Sequence, residues 1–212
     1  MRHALAFPIA LSAILLILGC SGSSNGEKEI TINSPKKLPL KIALYVPDTI
    51  AHGVVQVVAS GGCKDANTTT MNEGESYSGA ISSGLATAFT SVTLMPRRPT
   101  TQEMHDRFDV LAVASLGNSL AAANITEEEL TTTYIHCQYQ TSVLLHFTDK
   151  YGDSLYTFKA DGSGAYNEKG PCSALHSVFQ VAVDTALSQI SSYIARSAYS
   201  GAPLAAYAKN PK

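Results

Sequence analysis

Six histidines, four cysteines and a scatter of carboxylates are the residues of this 212-residue chain able to do chemistry. Their spacing argues against most of it. His136 and His146 fall on one side of a long alternating stretch, but ten residues of strand set them about 33 Å apart, too far for one metal ion. His176 lies close to Cys172 in sequence, yet a Cys–His nucleophile pair also needs a cleft and an orienting Asn or Asp. His3, His52 and His105 stand alone, so each histidine reads as structural or solvated. Asp48, Asp106 and Asp109 flank strands, where carboxylates mostly cap turns, and nothing favours a glycosidase-type pair. Gly61-Gly62 and Gly162-Ser163-Gly164 lack the spacing and the Lys of a phosphate loop, and no helical elbow follows Ser163. There is no CxxC and no zinc-knuckle spacing. No catalytic residue, metal or cofactor is assigned, and a non-enzymatic role is expected.

Cys20 differs because of what precedes it. Arg2 and His3 begin the chain, and residues 4–18 are apolar apart from Ser12, with Pro8 inside the run. That run is shorter than the roughly 20 residues of a spanning helix and reads as a secretory leader. No later stretch is apolar for as long, so no transmembrane helix is expected. Ile17-Leu18-Gly19-Cys20 resembles the cleavage box of bacterial lipoproteins. The resemblance implies cleavage before Cys20, a diacylglycerol on its thiol and an acyl group on the new amine. Each buried CH₂ contributes about 0.8 kcal/mol, and more than one acyl chain is needed for stable anchoring. An ordinary leader cut elsewhere, with Cys20 unmodified, is the alternative. Ser21 in place of Asp resembles the outer-membrane default of Gram-negative lipoproteins, which implies the periplasmic face of that membrane; a Gram-positive source implies the plasma membrane.

Outside the cytoplasm disulfides persist. Cys63 follows Gly61-Gly62 in a loop and Cys172 follows Gly170-Pro171 at an expected helix start, both at element ends where two backbones can approach. Cys137 sits inside a strand beside Ile135 and Tyr139 and reads as a small buried hydrophobe. A Cys63–Cys172 bridge is therefore expected. Formal charge is −2, from 15 Lys and Arg against 17 Asp and Glu, and loss of Arg2 takes it to −3. That balance, with no long basic run, excludes phosphate tracking and a nucleic-acid partner.

The elements that must carry these residues follow from periodicity. Residues 1–19 are the leader, and 20–37 form the lipid anchor and a flexible tether reaching about 20–25 Å. Residues 38–200 form one α/β domain and 201–212 a loose tail. Strands are expected over 40–46, 54–59 and 92–95, and over 108–115 as a strand covered on both faces. Residues 61–75 and 96–106 read as polar loops, and 117–129 as a loop with a short helical turn. Residues 131–148 carry the longest strand signal: Ile135, Cys137, Tyr139, Val143, Leu145 and Phe147 on one face, Tyr134, His136, Gln138, Gln140, Ser142 and His146 on the other. A hairpin returns over 154–160 and breaks at Asp161-Gly162-Ser163-Gly164. Helices are expected over 76–91, with Tyr77, Ile81, Leu85 and Ala88 on one stripe, and over 173–196, with Ser173 as N-cap. The fold class is α+β: a single mixed sheet of about five or six strands with two helices packed on one face.

In this order the chain resembles the α/β domain of small envelope lipoproteins: the curli-secretion lipoprotein, the N-terminal domain of the Tol–Pal translocation protein, and auxiliary lipoproteins of lipid-handling ABC systems. The residues that carry the resemblance are Ile42-Ala43-Leu44-Tyr45-Val46-Pro47-Asp48, the small-residue helix from Gly79 to Phe89, and Phe108-Asp109-Val110-Leu111. It implies a non-enzymatic component of a transport or secretion complex, with envelope proteins or further copies of the chain as partners. Tyr134, Gln138, Gln140 and Tyr156 are the expected partner surface, since aromatic and amide groups suit interfaces. The other reading is a lipoprotein holding a lipid or a small apolar ligand between sheet and helices. An internal apolar cavity favours the second, an exposed apolar patch the first.

Overall fold

A computed structural model describes residues 36–63, 67–129 and 132–211. The expected leader, Cys20 and most of the expected tether lie outside them. In chain order the elements are β1 (Leu38–Tyr45), α1 (Asp48–Ala51), β2 (Val54–Gly61), β3 (Thr68–Asn72), α2 (Gly74–Ala88), β4 (Phe89–Met95), α3 (Thr101–Arg107), β5 (Val110–Leu116), β6 (Leu120–Glu129), β7 (Thr132–Asp149), β8 (Ser154–Gly170), α4 (Leu175–Ser200) and α5 (Ala202–Lys209).

The organising strand is β7. Its alternation is obeyed: Ile135, Cys137, Tyr139, Val143, Leu145 and Phe147 are buried, while Tyr134, Gln138, Gln140 and Leu144 are exposed. Along one edge it pairs with β8 for nearly its whole length. Along the other edge it meets two strands placed end to end, β6 over its first half and β5 over its second. Leu116 pairs with Val143 and Leu120 with Gln140, so Gly117, Asn118 and Ser119 oppose only Thr141 and Ser142. β5 and β6 are thus one long strand interrupted by an extra residue, the arrangement of a β-bulge.

The bulge divides the eight-stranded sheet into two wings. Beyond β5 lie β1 and β4, all three parallel. Beyond β6 lies β2, parallel to it, and then β3, antiparallel to β2. Helices α2 and α4 cover one face of the sheet. Their apolar stripes, Tyr77, Ile81, Leu85 and Ala88 on α2 and Val178, Phe179, Ala182, Ala186 and Ile190 on α4, are buried in the main core with Ile42, Leu44, Leu145 and Phe147. Each such large side chain contributes about 1.5–3 kcal/mol by leaving water. Among the described residues the opposite face is covered only over the β4-β1-β5 wing, where Met104 of α3 joins Ala43, Met95, Phe108 and Leu111 in a second, smaller core.

The expected sheet of five or six strands with two helices on one face is therefore corrected, among the described residues, to eight strands and five α-helices, one of them, α3, on the opposite face. The expected loop at 61–75 contains β3, whose Thr-rich sequence forms an edge strand on β2. The expected loop at 96–106 contains α3, started by a capping box in which Thr100 Oγ1 accepts the Glu103 N–H and the Glu103 carboxylate accepts the Thr100 N–H. Arg97 binds the same carboxylate and holds its pKa down at about 2. Residues expected to hold a helical turn form β6 instead, because β7 offers a full ladder to pair with.

The hairpin does not break at Gly162. β8 continues to Gly170, and its glycines serve α4: a Cβ on Gly162 would collide with the Ala186 carbonyl, and one on Gly164 with the Ala182 carbonyl. Ser173 is not the N-cap of α4. It lies in a 3-10 turn, Cys172–Ala174, and α4 begins after Ala174 with no side-chain cap. Residues 201–212, expected as a loose tail, hold α5, which has Pro203 in its first turn and buries Leu204 and Tyr207.

Candidate functional site

Three features meet around the bulge. The first is the uncovered face of the β3-β2-β6 wing and the adjoining halves of β7 and β8. Register places Thr68, Thr70 and Asn72 beside Val58, Gln56 and Val54. Ala122, Asn124 and Thr126 lie beside Gln138, His136 and Tyr134, which in turn meet Ala165, Asn167 and Lys169. Val54 is 63% exposed, Val58 61% and Leu120 64%. Lys169 is the only Lys, Arg, Asp or Glu among these residues, and its ammonium lies 5.6 Å from the centre of the Tyr134 ring. Gln138 Nε2 donates to His136 Nε2 at 2.8 Å, and the other ring nitrogen contacts Asn167 Oδ1. A protonated Nδ1 satisfies both contacts, so His136 is held in place on this face.

The second feature is a cleft of about 550 Å³ beside the bulge, lined by Asn118, Gln140, Ser142, Lys159, Asp161, Ser163 and Gln189 among others. Lys159 and Asp161 form an ion pair at 2.7 Å. Gly117 closes the floor: its N–H donates to the Ser142 carbonyl at 2.8 Å, and a Cβ there would strike Ser142 Oγ.

The third lies beneath, inside the protein. Glu73, 5% exposed, ends the β3–α2 connection. Tyr139 Oη donates to Glu73 Oε2 at 2.8 Å, and Tyr139 and Tyr77 hydroxyls are 2.9 Å apart. Tyr77 also contacts Thr141 Oγ1, which lies 2.9 Å from the Ser119 hydroxyl at the surface. A chain of hydroxyls thus joins a buried carboxyl to the bulge. Glu73 Oε1 has no partner, and neither described ion pair involves this residue. Burial pushes its pKa up to about 7, against the lowering effect of the Tyr139 hydrogen bond. Burial likewise pushes the Tyr139 phenol upward, Tyr77 adding to the effect.

The expected site residues distribute unevenly. Tyr134, Gln138 and Gln140 lie together on the uncovered face. Tyr156 does not join them: it pairs with Phe147 on the helix-covered face, half-buried, with its ring 5.5 Å from that of Phe158. It stays in register with Phe158 and Ala160, whose partners Leu145 and Val143 are buried, so β8's own alternation sets it inward. Cys63 and Cys172 are joined in a disulfide with Cα atoms 5.8 Å apart, and Cys137 is buried with a free thiol that burial pushes up to about 11. With Cys172 oxidised it is no nucleophile for His176, whose Nδ1 lies 2.9 Å from Thr69 Oγ1 instead. His136 and His146 stay apart on β7, His146 meeting Thr157. Among the described residues no group of His, Cys, Asp and Glu is placed to hold a metal, and no helix is long and apolar enough to cross a membrane. Cys20 lies outside the described residues.

Sequence reasoning missed the bulge and the buried chain. Gly117-Asn118-Ser119 is a turn cluster between two apolar runs, and that signal is present. Glu73 is not recognisable, since an acid ahead of a helix reads as a dipole partner.

No protein-family model and no curated protein matches this chain. Solved structures align with it at low identity. A minor lipoprotein from Acinetobacter baumannii covers 76% of this chain and 93% of its own, at 7% identity and a TM-score of 0.41. An uncharacterized lipoprotein B from Nitrosomonas europaea covers 79% and 89%, at 10% identity and a TM-score of 0.36. PelC from Paraburkholderia phytofirmans, a dodecamer in its structure, covers 74% and 91%, at 13% identity and a TM-score of 0.29. Superpositions this loose fix no residue's role in the present chain.

Proposed function

We propose that this chain is a lipid-anchored, non-enzymatic binding module of a bacterial envelope, held at the periplasmic face of the outer membrane through Cys20. It acts by docking a protein partner of a transport or secretion assembly. The observation that carries the reading is the uncovered sheet face, which exposes Val54, Val58, Leu120 and Tyr134 among Thr, Asn and Gln. Register interleaves these apolar side chains with amides and hydroxyls, Gln56 between Val54 and Val58 and Gln140 beside Leu120, and such a mixed surface with few charges suits recognition of a protein partner. A fixed, strand-borne face also loses little side-chain freedom on binding. The cleft of about 550 Å³ beside the bulge is open and lined by Asn, Gln, Ser, Thr, Lys and Asp side chains, which favours docking there over storage of an apolar ligand.

Two measurements test this. The mature protein taken from membranes is expected to start at Cys20 with added acyl mass; an unmodified start elsewhere overturns the anchor. Photo-crosslinkers placed at Val58, Leu120 and Tyr134 in cells are expected to trap the same envelope protein, with none trapped from Asp184 on the outer side of α4. Equal capture from both faces, or none from the sheet face, overturns the docking assignment.

A further inference from the structure

The cleft beside the bulge has a chemistry of its own. Strand register arranges its surroundings in three rows across the sheet. Leu120, Gln140 and Ser163 form one, Ser142 and Asp161 the middle one, and Ser115, Leu144 and Lys159 the third. The outer rows are four residues apart on β7, about 13–14 Å. That gap accommodates a pyranose ring lying on the middle row. The hydrogen-bonding groups around it are uncommitted. Asn118 and Gln140 have no side-chain partner among the described residues. Gln189 uses its oxygen to accept the Ser163 N–H at 3.2 Å, which leaves its two N–H donors available. Ser142 Oγ is buried in the floor with no partner at all.

We propose that this cleft binds a segment of a neutral saccharide. Each carboxamide presents a donor and an acceptor side by side, the pattern that adjacent sugar hydroxyls complement. Lys159 and Asp161 neutralise each other at 2.7 Å, so the cleft selects neither phosphate nor ammonium. Leu120 and Leu144, 64% and 40% exposed, flank it and match the apolar C–H face of a pyranose. No aromatic ring lines the cleft, so affinity rests on amide hydrogen bonds exchanged with water, and the dissociation constant falls in the millimolar range. The cleft borders the docking face at Leu120 and Gln140, but binding of a saccharide needs no protein partner, and Thr70, three strands away, lies outside it.

The test is a titration of the ¹⁵N-labelled full chain in detergent with two probes, chitotetraose and maltotetraose, followed by NMR. Saturable shifts are expected at the side-chain amides of Asn118, Gln140 and Gln189 with at least one probe. Asn118→Ala and Gln140→Ala are each expected to weaken binding by about fivefold to tenfold while amide shifts elsewhere show an unchanged fold. Thr70→Ala is expected to leave it unchanged. Absence of saturable shifts with both probes up to about 20 mM overturns the proposal. So does binding that survives both amide substitutions, which places the sugar elsewhere.

Discussion

The two wings of the sheet share β7, β8 and α4, and they solve burial in opposite ways. The β4-β1-β5 wing is apolar on both faces: main core beneath, and above it the patch that Met104 and Phe108 seal. The β3-β2-β6 wing leaves its outer face in water, and beneath the bulge, where β7 meets α2, Glu73, Tyr139, Tyr77 and Thr141 form one polar chain. The first wing buries apolar side chains on both faces, whereas the second buries Val57, Met71, Ala123 and Ile125 on one face and offers the other to solvent. A protein that must present a surface without losing its fold can separate the two tasks in this way.

The comparison is broken most severely where both wings depend on one contact. α4 crosses β8 at Gly162 and Gly164 with no room for a side chain. Gly164→Val is expected to cost more than about 4 kcal/mol, because backbone must separate from backbone, and to abolish a cooperative thermal transition. A transition lowered by only a few degrees shows that α4 can slide, and that the wings are not tied together through this contact.

Within the covered wing, Met104→Ala removes the side chain by which α3 closes the smaller core. A loss of about 2–4 kcal/mol is expected in urea unfolding, from lost transfer energy and the cavity left behind. The same truncation on the open wing, Val58→Ala, is expected to change stability by less than about 0.5 kcal/mol. Equal losses would remove the distinction between the wings.

Glu73 sharpens the comparison through pH. Its pKa rises from 4.5 unfolded to about 7 folded, so the folded state holds the proton more tightly. Stability is then full below pH 4.5 and declines as pH rises through 7, by up to about 3 kcal/mol. Glu73→Gln is expected to flatten this slope and to stabilise the protein at pH 8 relative to the parent. The readout is urea unfolding of both proteins at pH 5 and pH 8. Parallel slopes would mean that the carboxyl is paired or hydrated in solution.

The strands of the covered wing, β7 and the two long helices α2 and α4 are the legible part of the sequence, whereas the short helices α1, α3 and α5 are not. Alternation in residues 131–148 reveals β7 because one face is dry, and the stripe from Tyr77 to Ala88 reveals α2 for the same reason. β3 and β6 are not legible, since Thr68-Thr69-Thr70 and Leu120-Ala121-Ala122-Ala123 lack a strong two-residue contrast and become strands by pairing with neighbours. The far half of β8 is hidden by glycines that normally end strands, and here their purpose is the approach of α4. Tyr134, Gln138 and Gln140 could be placed on one face from parity alone. Tyr156 shares its parity with the buried Phe158 and Ala160 of β8, which sets it on the helix-covered face, not with Tyr134.

The smallest structural effect carries the sharpest functional test. Val58 is 61% exposed on β2, away from any core residue of the open face, with its neighbour Thr68 across the strand pair. Val58→Lys places a charge where the described face has only Lys169, and its long stem can stay solvated. Thermal stability is expected to change by less than about 0.5 kcal/mol. Partner capture from membranes is expected to fall at least tenfold, because a lysine buried at an interface without a counter-charge loses its hydration. The control is Asp184→Lys on the exposed side of α4, which should leave capture intact. If Val58→Lys captures as well as the parent, the open wing is open for some purpose other than docking, and Glu73 and the bulge become the reason for its polar interior.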